Sequence, residues 1–477
     1  MKVLLIYARF NQEVSYRVPL GIAYIAAVLR ENKIDTVLRE GALYRSLENY
    51  KKDLLKIKPD IVGISLSSFL VENAFNYAKA TKEVMPKAMV VFGGPHASIM
   101  MGEILKDKNV DVVVYGEGEE TFLDLAKGKS LKDIPGIIYR ENGKVTENKP
   151  RPFIDLNKRP LPARDLLPMK LYLSTKPTMP LPYPATDLEA SRGCFGNCIY
   201  CQPVLRKMFG MKIRQRDYKN VVDEIEYLIK TYKVKGINLG NDEPLVNKYW
   251  VRNLCDEIIR RGIKVKLISP NRVDLVDLET MKKMKRAGFI HLSLGVESGS
   301  QKILDFMKKG IRVEQIYNAF KICDKTGIAG RANLMVGTHG ETKETIKETI
   351  RLVKKSQPAF IYLSATTPTP GTELYEYCKK NNMLASDNIC SYKAFDAGHL
   401  KLPTMTTDEI YNAIQKISKT YKLLLLSYFF NPVRFWRKKY LIKIILYYYW
   451  TLLKNPKQFF KALSYYFKYG KHIKKLK

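Results

Sequence analysis

The 477-residue sequence predicts two α/β domains in series, followed by a helical tail. Residues 1–130 and residues 181–400 each alternate short apolar runs with amphipathic segments, a pattern typical of parallel strands joined by helices. The stretch 131–180 between them holds eight prolines and little periodicity, which predicts a linker on the surface. The first alternation predicts a doubly wound, Rossmann-like domain, the second a partial, TIM-like (β/α)6 barrel, and residues 401–477 form a basic, aromatic tail.

The apolar runs of the first domain are rich in valine and isoleucine and nearly continuous in hydrophobicity, as strands covered on both faces are. In chain order they read KVLLIY, IDTVL, DIVGISL, AMVVFGG and VDVVVYG. Ligands of doubly wound domains bind beyond the carboxyl ends of the strands. Such ends carry Gly93, Gly94, Gly116 and Gly118. We therefore expect the ligand crevice of this domain at that edge of the sheet.

The second alternation contains six strand candidates, too few for a full eightfold barrel. In chain order they read TDLEAS, GINLGN, VKLISPN, IHLSLGVE, RANLMVG and FIYLSAT. The chemistry of parallel barrels lies at the carboxyl ends of the strands. The stretch SRGCFGNCIYCQ, residues 191–202, directly follows the first of these strands and is therefore predicted to be functional.

This stretch places three of the seven cysteines, Cys194, Cys198 and Cys201, in the spacing C-x3-C-x2-C. Thiolates this close together bind a metal or form a disulfide. Structural zinc usually takes four ligands from two separated C-x2-C pairs, and the sequence has no second pair. Iron–sulfur cubanes are usually held by four thiolates, so three would leave one iron open to another molecule. Zinc and chance spacing remain the alternatives.

The spacing, with Tyr200 before the last cysteine, resembles the radical S-adenosylmethionine (SAM) superfamily. The resemblance implies that the three cysteines ligate a [4Fe-4S] cluster and that SAM chelates its fourth iron. Four later segments, GNDEP, GVESGS, MVGTHGET and PTPGTELY, resemble motifs of that family in the same order. The residues implied to contact SAM are Tyr200, Gly240, Asp242, Glu243, Glu297, Ser298 and Gly337. The implied chemistry is the reduction of SAM to methionine and a 5′-deoxyadenosyl radical, a step for which no acid or base stands out.

Segments of the first domain resemble the cobalamin-binding domain that precedes the barrel in one radical SAM subfamily. They are PLGIAYIAAVLREN, PDIVGISLSS, VVFGGPHAS and YGEGEETF. The resemblance implies that Ser65, Gly93 and Gly94 face the crevice for the nucleotide tail of cobalamin. Many cobalamin domains carry the motif D-x-H-x-x-G after the first strand, and its histidine ligates the cobalt. This chain lacks the motif there, so no histidine of that motif is available as a cobalt ligand. We expect His96 to be a loop residue, and a retained structural domain without cobalamin is the alternative.

The net charge of +34 is concentrated in the tail. Residues 411–477 contain 16 lysines and arginines and no acidic residue, which leaves 34 − 16 = +18 for the other 410 residues. The pairs Asn431-Pro432 and Asn455-Pro456 each predict the start of a basic, aromatic helix. Such helices favour contact with an anionic membrane surface, and a helical lid on the barrel is the alternative. No nucleic-acid-binding module accompanies the charge, so a nucleic acid partner is not expected.

The amino terminus shows no export signal, which predicts a cytoplasmic enzyme. The basic, aromatic tail favours a peripheral position on the membrane for this enzyme. The expected reaction is the cobalamin-dependent methylation of an unactivated carbon in a lipid or other hydrophobic substrate. Its expected partners are this small-molecule or lipid substrate and an external one-electron donor. Radical cyclisation or carbon–carbon bond formation without methyl transfer is the alternative among enzymes. A cobalamin-binding or membrane-associated sensor without catalysis is the alternative from another class.

Overall fold

The computed structural model describes most of the chain. The described residues are 1–12, 14, 17–141, 143–175, 181–240, 243–386, 397–430, 438 and 440–441. They form two successive α/β domains and a long helix that packs on the second domain.

The first domain begins with five parallel strands at the predicted positions. They are β1 (Lys2–Tyr7), β2 (Asp35–Glu40), β3 (Ile61–Ser65), β4 (Met89–Gly93) and β5 (Val112–Val114). The helices of this domain are α1 (Leu20–Glu31), α2 (Leu47–Ile57), α3 (Val71–Val84), α4 (Met101–Ile104) and α5 (Glu119–Ala126). Helices α1 and α5 bury one face of the sheet, whereas α2 and α3 bury the other. The strands are apolar on both faces for this reason, and the predicted doubly wound fold is confirmed.

The sheet of the first domain continues beyond residue 130, where the sequence placed the boundary. Two antiparallel strands, β6 (Ile137–Glu141) and β7 (Lys144–Glu147), add to β5. The strand order becomes β2-β1-β3-β4-β5-β6-β7. Pro135 and Pro150 lie outside the two strands, so the prolines of this stretch flank a hairpin and leave its hydrogen bonds intact.

The second domain is an open barrel of six parallel strands. Helix α6 (Met169–Ser174) precedes it, and a short antiparallel ribbon of β9 (Ser191–Arg192) and β10 (Arg214–Gln215) stands beside it. The barrel strands are β8 (Ala185–Leu188), β11 (Gly236–Leu239), β12 (Lys266–Arg272), β13 (Phe289–Glu297), β14 (Ala329–Val336) and β15 (Phe360–Ala365). Each strand pairs with the next one in this series, and in the described residues β8 and β15 do not pair. The predicted partial barrel is thus confirmed.

Eight further helices of the described chain belong to this domain, and most of them cover the outside of the barrel. They are α7 (Val204–Phe209), α8 (Tyr218–Tyr232), α9 (Lys248–Arg260), α10 (Leu278–Arg286), α11 (Gln301–Phe306), α12 (Val313–Thr326), α13 (Lys343–Ser356) and α14 (Glu373–Lys380). The sequence predicts helical segments at 217–233, 248–261, 299–308 and 343–355, and α8, α9, α11 and α13 agree with them to within two residues at each end. The apolar faces of α8 to α13 and of the strands form one large core.

The described part of the tail is helix α15 (Thr407–Phe430), which lies along the open edge of the barrel. Ile410 of α15 contacts Gly337 at the carboxyl end of β14. The hydroxyl of Tyr421 donates a hydrogen bond to the carbonyl of Ala359, before β15 begins, at 2.6 Å. The helices predicted to start at 431 and 455 lie outside the described residues. None of the described helices is long and apolar enough to cross a bilayer.

Candidate functional site

The three clustered cysteines lie on a segment whose two ends are held together. Strand β9 ends at Arg192 and β10 begins at Arg214, and these two residues face each other in the ribbon. Gly193 has a φ of +101°, and a Cβ there would stand 2.6 Å from the carbonyl oxygen of Lys212. Only glycine fits this close return of the chain. The ribbon therefore closes residues 193–213 into a loop beside the carboxyl end of β8.

Two of the three sulfur atoms of this loop lie beside Gly196. A Cβ at Gly196 would lie 3.4 Å from Sγ of Cys194 and 3.7 Å from Sγ of Cys198. Burial, and then the neighbouring Cys198, raises the pKa of the Cys201 thiol to about 12. A thiol in such surroundings becomes a thiolate when a cation binds it. Three thiols on one tight loop fit three corners of an iron–sulfur cubane.

A single metal ion requires a different arrangement of ligands. Within the described part of the chain, no three Cys, His, Asp or Glu side chains are grouped for one shared ion. A cubane instead presents a separate iron to each cysteine, so its ligands stand further apart than those of a mononuclear site.

A buried lysine neutralises part of the negative charge beside the cysteine loop. The ammonium of Lys309 donates hydrogen bonds to Oε1 of Glu297 at 2.8 Å and to the hydroxyl of Tyr200 at 3.0 Å. Burial opposes the charge of Lys309, but Glu297 and Cys198 outweigh it, and the pKa of Lys309 is raised. Lys309, which no sequence motif indicated, thus brings together Tyr200 and Glu297, two residues that are predicted to contact SAM.

The carboxyl of Glu243 lies buried past the end of β11. It is 2% exposed, and its two oxygens accept hydrogen bonds from the backbone N–H of Arg272 at 3.1 and 3.0 Å. Burial raises its pKa to about 8. Among the described residues it has no salt-bridge partner, so it is suited to receive an ammonium group. Gly240 lies at the end of β11 as predicted, whereas Asp242 lies outside the described residues.

Two further predicted positions make contacts within the protein. Ser298 is fully buried, and its hydroxyl accepts a hydrogen bond from the backbone N–H of Ser300 at 3.1 Å. Gly337 has a φ of +88°, and a Cβ there would lie 3.0 Å from the side chain of Ile410. Contact with SAM at Ser298 and Gly337 stays a prediction.

A cavity of about 290 Å³ opens at the carboxyl ends of the strands of the first domain. Ser65, Gly93 and Gly94 all line it, as the sequence predicts. A Cβ at Gly93 would meet nothing closer than 3.9 Å, so this glycine keeps the cavity open. Gly94, with a φ of +99°, allows the tight turn after β4.

The barrel domain contributes part of the wall of this cavity. Arg192 of β9, and Met208 and Phe209 at the end of α7, are among its lining residues. All three belong to the cysteine loop or its ribbon. The cysteine loop and its ribbon therefore form part of the wall of the first-domain cavity.

His96 behaves as expected of a loop residue. It is 2% exposed, and Nδ1 of its ring lies 3.1 Å from Oγ of Ser68. Burial lowers the pKa of its imidazole to about 4, and His96 is not among the residues that line the cavity.

Models of two protein families match this chain. The model of the radical SAM superfamily matches residues 188–353, and the model of the B12 binding domain matches residues 14–126. The first range contains the cysteine loop and four complete barrel strands, β11 to β14, and the second contains Ser65, Gly93 and Gly94.

Several curated proteins are similar to the chain over most of its length. An uncharacterized methyltransferase of Pyrococcus horikoshii is 33% identical over 83% of this chain and 86% of its own length. An anaerobic magnesium-protoporphyrin IX monomethyl ester cyclase of Rubrivivax gelatinosus is 30% identical over 75% of this chain and 66% of its own length. A hopanoid C-3 methylase of Methylococcus capsulatus is 26% identical over 83% and 75%, respectively.

Two solved structures share the fold. The cobalamin-dependent SAM radical enzyme OxsB, with aqua-cobalamin and SAM bound, superposes with a TM-score of 0.72 and 17% identity, over 86% of this chain and 65% of OxsB. The radical SAM methyltransferase TsrM of Kitasatospora setae, with cobalamin and a [4Fe-4S] cluster bound, gives a TM-score of 0.68 and 17% identity, over 88% and 89%.

Proposed function

The chain belongs to the radical SAM superfamily, in the group that carries a B12-binding domain before the barrel, and from this membership we propose that it methylates an unactivated carbon atom. It is a radical SAM enzyme whose cofactors are a [4Fe-4S] cluster, SAM and cobalamin, and it requires a substrate and a reductant. When bound, the cluster supplies the electron that cleaves SAM, and cobalamin supplies a carrier for the methyl group.

The observation that carries the proposal is that the cysteine loop and its ribbon form part of the wall of the first-domain cavity. Arg192, Met208 and Phe209 line the cavity of the first domain and belong to the segment that bears the cysteines. A methyl carrier in this cavity would stand beside the cluster-binding loop. Transfer of a methyl group to a radical formed in the barrel requires this proximity.

In the barrel, we propose that Cys194, Cys198 and Cys201 hold the cluster and that Glu243 receives the amino group of SAM. Among the described residues the buried carboxyl of Glu243 accepts hydrogen bonds only from a backbone N–H, and an ammonium would satisfy its remaining capacity to accept them. Lys309 holds Glu297 and Tyr200 in place through its two hydrogen bonds.

In the first domain, we propose that Ser65, Gly93 and Gly94 border the site of cobalamin. The open space at Gly93 leaves room for a ligand next to the backbone of β4. The cavity is lined mainly by apolar side chains with a few polar groups, which is the usual character of a cofactor site.

A lipid or another hydrophobic molecule is the substrate we propose, and a curated relative is named hopanoid C-3 methylase. Helix α15 supports contact with a membrane, because Leu423, Leu426 and Phe430 are 58%, 53% and 84% exposed on one side of it. The acid-free residues 411–477 would add electrostatic attraction to anionic lipids. This exposed side lies towards the end of α15 that passes Ala359, near the start of β15.

Radical cyclisation without methyl transfer is the second candidate, favoured by the 30% identity with the cyclase of Rubrivivax gelatinosus. The two reactions leave different products from SAM. A methylase produces S-adenosylhomocysteine together with 5′-deoxyadenosine, because SAM serves as methyl donor and as radical source. A cyclase produces only 5′-deoxyadenosine.

The test is anaerobic reconstitution with iron, sulfide and cobalamin, followed by reduction and analysis of both products. We expect both nucleosides from the wild type and neither above background from Cys198→Ala. Cys255→Ala is the matched control, since Cys255 is buried in the outer core of the barrel, away from the loop. Deoxyadenosine alone would favour the cyclase, and the absence of both products would favour a sensor without catalysis.

A further inference from the structure

A buried cluster of ion pairs joins the first domain to the base of the cysteine loop. Its members are Glu117, Glu119, Arg159, Glu189, Arg192 and Arg214. None of these side chains is more than 19% exposed. The three carboxylates and three guanidinium groups balance in formal charge. Charges so deeply buried are tolerated only when each is paired and hydrogen-bonded.

One carboxylate of the first domain contacts both strands of the ribbon. Oε1 of Glu117 accepts hydrogen bonds from Nη1 of Arg192 at 2.8 Å and from Nη2 of Arg214 at 2.7 Å. These two arginines face each other across β9 and β10. All three cluster cysteines lie in the chain between them. Glu117 therefore holds the two ends of the cysteine loop at a single point.

Glu119 adds a second contact from the first turn of α5. Its Oε1 accepts a hydrogen bond from Nη2 of Arg192 at 2.7 Å. Burial opposes ionisation of Glu119, but the charge of Arg192 and its hydrogen bond outweigh burial and keep the pKa of Glu119 below its usual value. The Nε atom of Arg192 binds Glu189 at 2.9 Å, so each donor group of this arginine has its own carboxylate.

The other side of the same segment lines the cavity proposed for cobalamin. Residues 116–119 all belong to its wall. A Cβ at Gly116 would lie 3.9 Å from the carbonyl oxygen of Met208 and 4.0 Å from that of Lys207. Helix α7 of the cysteine loop therefore packs directly over this segment. Three of these residues, Gly116, Glu117 and Glu119, thus line the cavity and also contact the cysteine loop or its ribbon.

We propose that Glu117 is a positioning residue that fixes the cobalamin cavity relative to the cysteine loop. The inference rests on the proposed function, because only an enzyme that uses both cofactors on one substrate needs their separation to be constant. Two rigid domains joined by a linker can move relative to each other unless their interface is locked. A bidentate, charge-assisted contact provides such a lock together with a defined orientation.

The test compares Glu117→Gln with Glu257→Gln in the reconstituted holoenzyme. Glu257 is the matched control: a buried carboxylate that accepts hydrogen bonds from two arginines, Arg260 at 2.7 Å and Arg261 at 2.7 Å. Glu257 and both arginines lie within or directly after α9, so its loss leaves the domain junction intact. Pulsed electron paramagnetic resonance measures the distance between cob(II)alamin and the reduced cluster.

We expect one narrow distance distribution in the wild type and in Glu257→Gln, and a broadened one in Glu117→Gln. The yield of S-adenosylhomocysteine relative to deoxyadenosine should also fall in Glu117→Gln, with both yields normalised to the cobalamin occupancy measured by absorbance. A wild-type distribution and product ratio in Glu117→Gln would overturn the inference. If Glu117→Gln does not fold, Arg214→Gln replaces it and removes one of the two ribbon contacts. Wild-type protein that binds both cofactors but makes no S-adenosylhomocysteine would contradict the proposed methylation, while its distances still test the positioning role.

Discussion

Replacing Lys309 by methionine is expected to lower the free energy of unfolding of the barrel by about 3–5 kcal/mol. The ammonium of Lys309 lies 2.8 Å from Oε1 of Glu297, and the two side chains are 8% and 9% exposed. Methionine keeps most of the apolar stem but leaves the carboxylate of Glu297 buried without a cation. The cost is that of an unpaired buried charge, which exceeds the net value of the ion pair itself.

Lys308 offers a control at the adjacent position. It pairs with Glu373, and the two side chains are 49% and 46% exposed. Exposed pairs of this kind contribute about 0–1 kcal/mol, so Lys308→Met should lie within that range. The double variant Lys309→Met with Glu297→Gln should recover part of the loss, because neither charge is then left alone.

The measurement is urea denaturation of the cluster-free protein, monitored by a probe within the barrel. The fluorescence of Trp250, which is buried in the core of the barrel, is such a probe. Using the cluster-free protein separates the electrostatic cost from any loss of the cluster. A loss below about 1 kcal/mol for Lys309→Met, or equal losses for both lysine variants, would refute the reasoning.

Three further predictions concern the cofactors and the pH dependence. Cys198→Ala should abolish the absorbance of the cubane while circular dichroism shows an intact first domain, and retention of a full cubane would contradict the ligand assignment. Gly93→Val should fill the cavity and lower the affinity for cobalamin at least about tenfold, since the new side chain occupies space needed by the ligand. Gly102→Ala, where a Cβ meets nothing within 4 Å, should bind cobalamin as the wild type does, with absorbance titration as the assay for both. Burial raises the pKa of Glu243 from 4.5 to about 8, so the folded state keeps a proton that the unfolded chain has released. The free energy of unfolding should therefore fall as the pH rises from about 4.5 to 8, by at most about 5 kcal/mol, and Glu243→Gln should lack this part of the decline in chemical denaturation.

The strands were predictable because their signal is local. Continuous apolar runs such as KVLLIY and alternating strand–helix units need no knowledge of distant residues, and each of the eleven predicted strands is present. The hairpin of β6 and β7 was assigned to the linker because prolines surround it. Its place in the sheet depends on β5, which offers a free edge only once the first domain has folded.

The cysteine loop was also predictable, since the spacing of Cys194, Cys198 and Cys201 carries the chemistry within eight positions. Lys309 was not. Its sequence neighbour Lys308 has the same side chain, and only the packing of α11 against the cysteine loop buries one and exposes the other.

The sequence by itself determined the two α/β domains, the family and the loop that bears the cysteines, because hydrophobic periodicity and short motifs are written in consecutive residues. The tertiary structure alone decided how the domains meet. Glu117 and Arg192 are 75 positions apart, and each is an ordinary charged residue in its own segment. Burial makes their pairing obligatory, because two charges removed from water must satisfy each other, and burial is known only when both domains have closed over them.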